Sequence, residues 1–301
     1  MVPGIEQRYL ITRDGTRIGY QVRGDGPAVV LANGLGGTYI AFKHLYSVLR
    51  GHRVVCWDYR GLYSSAEPTD RAANMVGHQV NDLEDILAAE KIDRAVHVGW
   101  SMGVQVNFEY YRRHADRVAG LMAINGTYGR PFRTVLSSRF VERAIPHLLR
   151  LVRAQADLMG QATRLVAGSQ ALLAAMKRFG MVSSTVDGEI FRAVAQGFQS
   201  IDWRIYSDLL RRLDEHDAED VLALVTAPTV IVAGDRDILT PPSTSERMHR
   251  GIAGSRLVVI RGGTHYTPVE YPAILQDELT RLFARVPGWA PEAQARTAAA
   301  R

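Results

Sequence analysis

The sequence has a single cysteine, no apolar segment long enough to cross a membrane, and no motif typical of a metal site. With Cys56 alone an internal disulfide is impossible, and its place in the apolar segment Val54–Trp57 indicates a buried side chain. No segment approaches the ~20 apolar residues that span a bilayer. Zinc-type pairs of Cys or His and the calcium loop of EF-hands are missing, so we expect no metal and no cofactor.

The sequence also lacks features that would direct it to nucleic acid or out of the cell. The net charge is +5, and Arg residues concentrate between Arg130 and Arg212 without the dense basic patch and interleaved aromatics of a nucleic-acid binder. The N-terminus has neither the basic start nor the apolar run of a secretory signal. We therefore expect a cytoplasmic protein with no nucleic-acid partner and no membrane partner. The oligomeric state is left open.

Short apolar segments alternate with helical patterns over much of the 301-residue chain. Segments without polar alternation are typical of strands covered on both faces, as in a parallel sheet. An Asp14-Gly15 turn between two partly alternating segments indicates an initial hairpin over residues 7–12 and 17–22. The predicted core strands cover residues 27–32, 54–57, 95–98, 118–124, 229–233 and 257–260, and the predicted helices 80–90, 102–113 and 268–285. The order predicts an α/β protein with a doubly wound, mostly parallel sheet.

The alternation stops between about Gly129 and Val221, where only helical patterns occur. We interpret residues 129–221 as an all-helical cap inserted into the α/β core, with Pro146 starting or kinking one of its helices. The core then consists of residues 1–128 and 222–286. Residues 287–301 are rich in Ala, Pro and charge, and we expect them to form a disordered tail.

The pentapeptide Gly99-Trp-Ser101-Met-Gly103 lies between a predicted strand and a predicted helix. A serine on such a turn is exposed at a helix N-terminus, where backbone N–H groups stabilise negative charge, and glycine at the flanking positions avoids steric clashes. This context makes Ser101 the candidate nucleophile. A simple connecting turn is the alternative interpretation.

A serine hydroxyl needs a base, and the base needs an orienting acid. His265 is the only histidine on a glycine-rich loop at the end of a predicted core strand, which makes it the candidate base. Asp235 and Asp237 both follow the strand that ends at Ala233, and both are candidates for the acid. The rival position after Ile124 holds Asn125, which cannot supply a carboxylate.

These motifs resemble those of the α/β-hydrolase family, within its capped group of carboxylesterases, lactonases, perhydrolases and carbon–carbon bond hydrolases. The resemblance covers about residues 9–127 and 224–285 and implies the α/β-hydrolase fold with a helical cap. The spacing from Gly234 through Asp237 to Pro241 matches the family's acid loop, which favours Asp237 over Asp235. The resemblance also implies an oxyanion hole formed by the backbone N–H groups of Leu35 and Met102.

Two positions depart from the family pattern. Asn33 stands where the family usually has His before Gly34, which bears on the shape of the Gly34–Gly37 loop. Tyr63 stands where the family normally has a glycine, which bears on packing near the mouth of the site.

The resulting functional prediction is a serine hydrolase that cleaves a carboxylic ester of a small, largely apolar molecule. Lactonase, perhydrolase and carbon–carbon hydrolase activities use the same triad, and a non-catalytic small-ligand-binding protein is the alternative from another class. A serine nucleophile excludes dehalogenases and epoxide hydrolases of this fold, which use Asp. Four aromatic residues of the cap are candidates for lining the pocket, although each equally suits helix packing: Phe132, Phe140, Phe198 and Trp203.

Overall fold

A computed structural model of the chain describes residues 2–134, 139–287 and 289. Its centre is one sheet of eight strands in the order β1-β2-β4-β3-β5-β6-β7-β8. The strands are β1 (Glu6–Ile11), β2 (Arg17–Arg23), β3 (Ala28–Ala32), β4 (Arg53–Trp57), β5 (Ala95–Trp100), β6 (Val118–Ile124), β7 (Thr229–Gly234) and β8 (Arg256–Ile260). β2 runs antiparallel to β1 and β4, and the neighbouring pairs from β4 to β8 are parallel. The predicted α/β class and mostly parallel sheet are confirmed.

The central strands are almost entirely apolar, with His97 in β5 and Thr229 in β7 as polar exceptions, because helices cover both faces of the sheet. Every residue of β3, β5, β6 and β7 is buried. Successive residues of β3 pack into different core clusters, Val30 on one face and Val29 and Leu31 on the other. This two-sided burial explains why the strands lack the polar alternation of half-exposed strands.

The helices of the core pack against these two faces. α1 (Val76–Ala89) and α2 (Met102–Arg113) belong to one cluster, and the last helix, α11 (Pro272–Ala284), belongs to the other. The terminal helix, predicted as one segment, is in fact two, with a short helix over Thr267–Glu270 before it. Tyr271 between them is not helical, as expected for a residue that precedes proline.

Six α-helices and no strand lie between β6 and β7 in the described part of the chain. We call α3 to α8 the helical insertion: α3 (Pro131–Thr134), α4 (Arg139–Ala154), α5 (Ala156–Val166), α6 (Gln170–Arg178), α7 (Gly188–Gly197) and α8 (Trp203–Glu215). Pro146 lies inside α4. An isolated bridge between Gly129 and Asp217 joins the two ends of the insertion. Two further helices of the core complete the numbering, α9 (Pro242–Gly251) and α10 (Thr267–Glu270).

The insertion contacts the core through the 3-10 helix Tyr39–Ser47, where His44 Nε2 lies 3.0 Å from Asp187 Oδ2. None of the helices in the described ranges has the length and hydropathy to cross a membrane. The predicted tail lies mostly outside the described residues, which end at 287 and 289.

Candidate active site

The turn between β5 and α2 holds Ser101 in a backbone conformation that is rare for side-chain-bearing residues. Its φ is 55° and its ψ is −117°. The flanking glycines are required by close approach: a Cβ on Gly103 would lie 2.1 Å from the carbonyl oxygen of Ala32, and one on Gly99 would lie 2.6 Å from that of Gly103. Such strain persists only where the surrounding structure holds it, and here it presents the serine hydroxyl at the start of a helix.

Three predicted residues from three loops meet in one hydrogen-bonded line. His265 Nε2 lies 2.9 Å from Ser101 Oγ, and His265 Nδ1 lies 2.9 Å from Asp237 Oδ2. The side chains of His265 and Asp237 are nearly excluded from solvent. A nucleophile bonded to a base that is itself oriented by a carboxylate is the arrangement that activates a serine.

The carboxylate of Asp237 is held by donors on both oxygens. Oδ1 accepts from the amides of Leu239 at 2.8 Å and Thr240 at 2.9 Å, and Oδ2 accepts from Thr240 Oγ1 and Asn125 Nδ2, both at 2.7 Å. Burial alone raises the pKa of Asp237, but the neighbouring His265 and the hydrogen bonds from Thr240 outweigh it and place the pKa below its usual value. Asp237 is therefore ionised and can orient the imidazole.

Asn125 is a member of the site that the sequence did not identify as such. It occupies the position after β6 that would otherwise be a rival place for the acid, and its amide instead supports the acid after β7. The same Nδ2 donates to the carbonyl of Thr264 at 3.1 Å, beside the base. The only available signal was a polar residue at the carboxyl end of a core strand.

Asp235, the other candidate for the acid, has a different partner. Its Oδ1 accepts from the amide of Gly262 at 2.7 Å, and the amide of Arg236 donates to the carbonyl of Gly263 at 2.9 Å. A Cβ on Gly234 would lie 2.3 Å from the Gly263 carbonyl oxygen, so the two loops are in direct contact. Asp235 thus joins the acid loop to the histidine loop.

Hydrogen bonds from several elements position the loop that carries His265. Trp100 Nε1 donates to the carbonyl of His265 at 2.8 Å. Thr264 donates from its amide and its hydroxyl to buried Glu270, at 2.9 and 2.6 Å. Glu270 also accepts from the amide of Ser183, in the insertion, at 2.7 Å. The position of the imidazole therefore depends on both the core and the insertion.

Two tyrosine hydroxyls hold the loop that contains Leu35. Tyr59 donates to the carbonyl of Asn33 at 2.6 Å, and Tyr63 donates to the carbonyl of Gly36. Leu35 lines the same cavity as Ser101, and Met102 is the first residue of α2. The oxyanion-hole roles of the Leu35 and Met102 amides remain predictions.

The side chain of Asn33 points away from the catalytic line. Its Nδ2 donates to Cys56 Sγ at 3.1 Å and to the carbonyl of Trp57 at 3.4 Å, both in β4. Complete burial raises the pKa of the Cys56 thiol, as expected for a structural cysteine. Replacement of the family histidine by Asn33 therefore affects how the loop is anchored to the sheet.

A cavity of about 380 Å³ holds Ser101 and His265, and among the described residues no Asp, Glu, Lys or Arg side chain lines it. Of the aromatic residues predicted to line a pocket, Phe132 and Phe198 do so, and Trp203 lines a neighbouring cavity. The side chain of Phe140 lies outside the described part of the chain. The other apolar residues from the insertion are Pro131, Ile145, Leu148, Leu149, Val194, Leu210 and Leu213. Within the described ranges, no three His, Cys, Asp or Glu side chains are grouped as a metal site would need.

Comparison with known proteins gives one family and several relatives. A family model described as "alpha/beta hydrolase fold" matches residues 27–272. A "putative carbamate hydrolase RutD" of Variovorax paradoxus is 28% identical over 271 residues, which cover 89% of this chain and 96% of the relative. A second protein of the same name, from Escherichia coli O6:H1, is 25% identical, and the match covers 82% of this chain and 85% of that relative.

Among solved structures, an enol-lactonase from Burkholderia xenovorans LB400 matches with a TM-score of 0.73 and 19% identity, covering 92% of this chain and 100% of that one. An esterase from Exiguobacterium antarcticum matches with a TM-score of 0.70 and 21% identity, covering 91% and 98%. At these identities the structural matches show a shared fold.

Proposed function

The chain belongs to the α/β-hydrolase family, and on that premise we propose that it is a serine hydrolase that cleaves carboxylic esters of small, largely apolar molecules through an acyl-enzyme. Hydrolysis is the activity for which the family and the relatives are named. The observation that carries the proposal is the pair of 2.9 Å contacts that joins Ser101, His265 and Asp237.

In the proposed reaction, neutral His265 takes the proton of Ser101 as the serine oxygen attacks the carbonyl carbon. Asp237 stabilises the imidazolium that forms. The amides of Leu35 and Met102 bind the oxyanion, and removal of one such donor typically costs ~3 kcal/mol. His265 then protonates the leaving alcohol, and a water molecule activated by the same imidazole hydrolyses the acyl-enzyme.

The lining of the cavity favours a neutral, apolar ester over a polar substrate. In the described part of the chain its walls carry mostly apolar side chains and no Asp, Glu, Lys or Arg side chain that could pair with a charged group. Two Arg residues of the insertion are paired with carboxylates away from the cavity lining, Arg153 with Asp208 at 2.6 Å and Arg204 with Asp157 at 2.7 Å. The sequence relatives are named as putative carbamate hydrolases, but a carbamate is more polar than an ester and suits this apolar lining less well. Lactones, peracids and carbon–carbon bonds are compatible with the same three residues.

The proposal is tested with a fluorophosphonate probe, which reacts with an activated serine. We expect labelling of the wild type and none of Ser101→Ala, with labelling retained in Ser243→Ala, a substitution of an exposed serine on α9. Melting curves establish that each variant is folded. Absence of labelling in folded wild type would favour the ligand-binding alternative. Rates on nitrophenyl esters, lactones and peracid formation, measured side by side, then identify the bond cleaved.

A further inference from the structure

A second cavity, of about 240 Å³, lies within the helical insertion next to the cavity of Ser101. It is bounded by α5, α6 and α7 and by Trp203 at the start of α8. Val194, Phe198 and Tyr266 line both cavities. The two spaces are therefore separated by a wall one side chain thick, and Tyr266 in that wall directly follows the candidate base.

The second cavity is suited to hydrocarbon. None of the described side chains that line it is charged. Two of its polar groups satisfy each other, since Trp203 Nε1 donates to Thr163 Oγ1 at 3.1 Å, and that hydroxyl donates to the carbonyl of Met159 at 2.7 Å. A polar guest would lose its hydrogen bonds to water without replacement, whereas an alkyl chain would lose none.

The volume suits a chain of moderate length. An apolar cavity of about 150 Å³ is known to bind benzene, so by that scale a space of about 240 Å³ accommodates roughly nine carbon atoms. The reacting carbonyl and the first carbons of the chain would occupy the cavity of Ser101. A substrate with ten carbons in its acyl chain would reach from one cavity into the other.

Of the three side chains that line both cavities, Phe198 lies against the Gly34–Gly37 loop. A Cβ on Gly36 would lie 2.5 Å from Phe198 Cζ, so the ring rests directly on the backbone of that glycine. Its other ring neighbours are Tyr206 and Trp203, at 5.7 and 6.4 Å between centroids. Phe198 is only partly buried, so displacing its ring would disturb less packing than displacing a fully buried aromatic side chain.

The acyl group of the substrate, and not its alcohol, is the part that would extend into the second cavity. The acyl group stays on Ser101 after the alcohol has left, while Leu148 and Leu239, which line the first cavity, are 58% and 45% exposed and provide an open route for the alcohol. We propose that the second cavity binds the distal part of a medium-length acyl chain, and that Phe198 is the side chain displaced when the chain enters. This inference rests on the proposed function.

The test measures second-order labelling rates with alkyl fluorophosphonates, in which the alkyl chain takes the place of the acyl chain. Each methylene buried in an apolar space is worth about a fourfold gain. We expect the decyl probe to label the wild type at least about thirtyfold faster than the ethyl probe. Ala195→Leu, which fills the second cavity from α7, should reduce that ratio to about threefold or less.

Two further variants make the test specific. Ala193→Leu is the matched control, because Ala193 lies on the same helix and lines neither cavity, and it should keep the wild-type ratio. Ala167→Leu fills the second cavity from the end of α5 and should reproduce the effect of Ala195→Leu if that variant fails to fold.

Equal ethyl and decyl rates in the wild type, or an unchanged ratio in both filling variants, would overturn the inference and leave the serine hydrolase proposal intact. Failure of every probe to label folded protein would instead refute the nucleophile itself, and the acyl site with it. A reduced ratio in Ala193→Leu equal to that in Ala195→Leu would also count against the second cavity.

Discussion

Tyr63 is a tyrosine in a backbone conformation that favours glycine. Its φ is 52°, a region that costs a residue with a side chain about 1 kcal/mol or more. In return, its hydroxyl donates to the carbonyl of Gly36, in the loop that contains Leu35. Burial raises the pKa of Tyr63, so the hydroxyl remains a donor throughout the working range of a serine hydrolase. The residue that departs from the family pattern is thus a support of the loop that carries Leu35.

Replacing Tyr63 with Phe keeps the ring and removes only this hydrogen bond. If the bond positions the Leu35 amide, Tyr63→Phe should lower kcat on a nitrophenyl ester by about tenfold with KM within about twofold, because the oxyanion forms only in the transition state. Tyr9→Phe, at a residue 53% exposed, is the control and should leave both constants unchanged. An unchanged kcat would contradict a positioning role. A loss of kcat that is accompanied by a lower melting temperature would contradict it as well, because the loss could then come from reduced stability.

At the scale of elements, Arg60 joins three segments of the core. It follows β4, and its guanidinium donates to Asp82 of α1 at 2.7 and 2.5 Å and to Asp14 in the turn between β1 and β2. The side chains of Arg60 and Asp82 are completely buried. Burial raises the pKa of Asp82 to about 6 in spite of the opposing effect of Arg60. The pair matters for stability because removal of either partner would leave the other as an unpaired buried charge.

Arg60→Met should therefore reduce the free energy of unfolding by about 3–5 kcal/mol at pH 7, since it leaves Asp82 buried and unpaired. The loss should be smaller at pH 5, where the isolated carboxyl can be protonated. Urea denaturation at the two pH values measures both effects. Arg50→Met, at an exposed position, is the matched control. Similar losses for the two variants would show that the buried pair is not the cause.

At the scale of the whole molecule, the stability of the sheet is linked to pH through its central strand. His97 lies in β5, four residues before Ser101, with its ring 4.7 Å from that of Tyr110 in α2. Complete burial lowers the pKa of His97 to about 4, and the opposing influence of the nearby Asn107 side chain only partly offsets this effect. The folded protein therefore holds a neutral imidazole at a position where the unfolded chain, with an ordinary value near 6.5, would bind a proton.

The sign of the effect follows from linkage. The unfolded state binds the extra proton, so the contribution of His97 is fully present above about pH 6.5 and is lost as the pH falls towards 4. Between pH 7 and 4.5 the wild type should lose about 2–3 kcal/mol more than His97→Leu. His249→Leu, at an exposed histidine, should follow the wild type. Parallel stability profiles for the wild type and His97→Leu would contradict this assignment.

The sequence alone determined the features that depend on neighbouring residues. Apolar segments and helical periodicity predicted the order of strands and helices, and the strand–turn–helix context of Gly99–Gly103 located Ser101, because backbone preference and burial pattern are encoded within a few residues. The start of α1 at Val76 instead of Val80 was not predicted, since no strong capping residue marks it. The resemblance to the family added the choice of Asp237 over Asp235.

Only the tertiary structure decided which distant side chains meet. Asn125 and Asp237 are 112 residues apart, and His44 and Asp187 are 143 apart, yet each pair is hydrogen-bonded. The bond from Tyr63 to Gly36 and the wall that Phe198 forms between two cavities likewise arise where loops and insertion pack together. Such contacts depend on the position of whole elements in space, which no local pattern specifies.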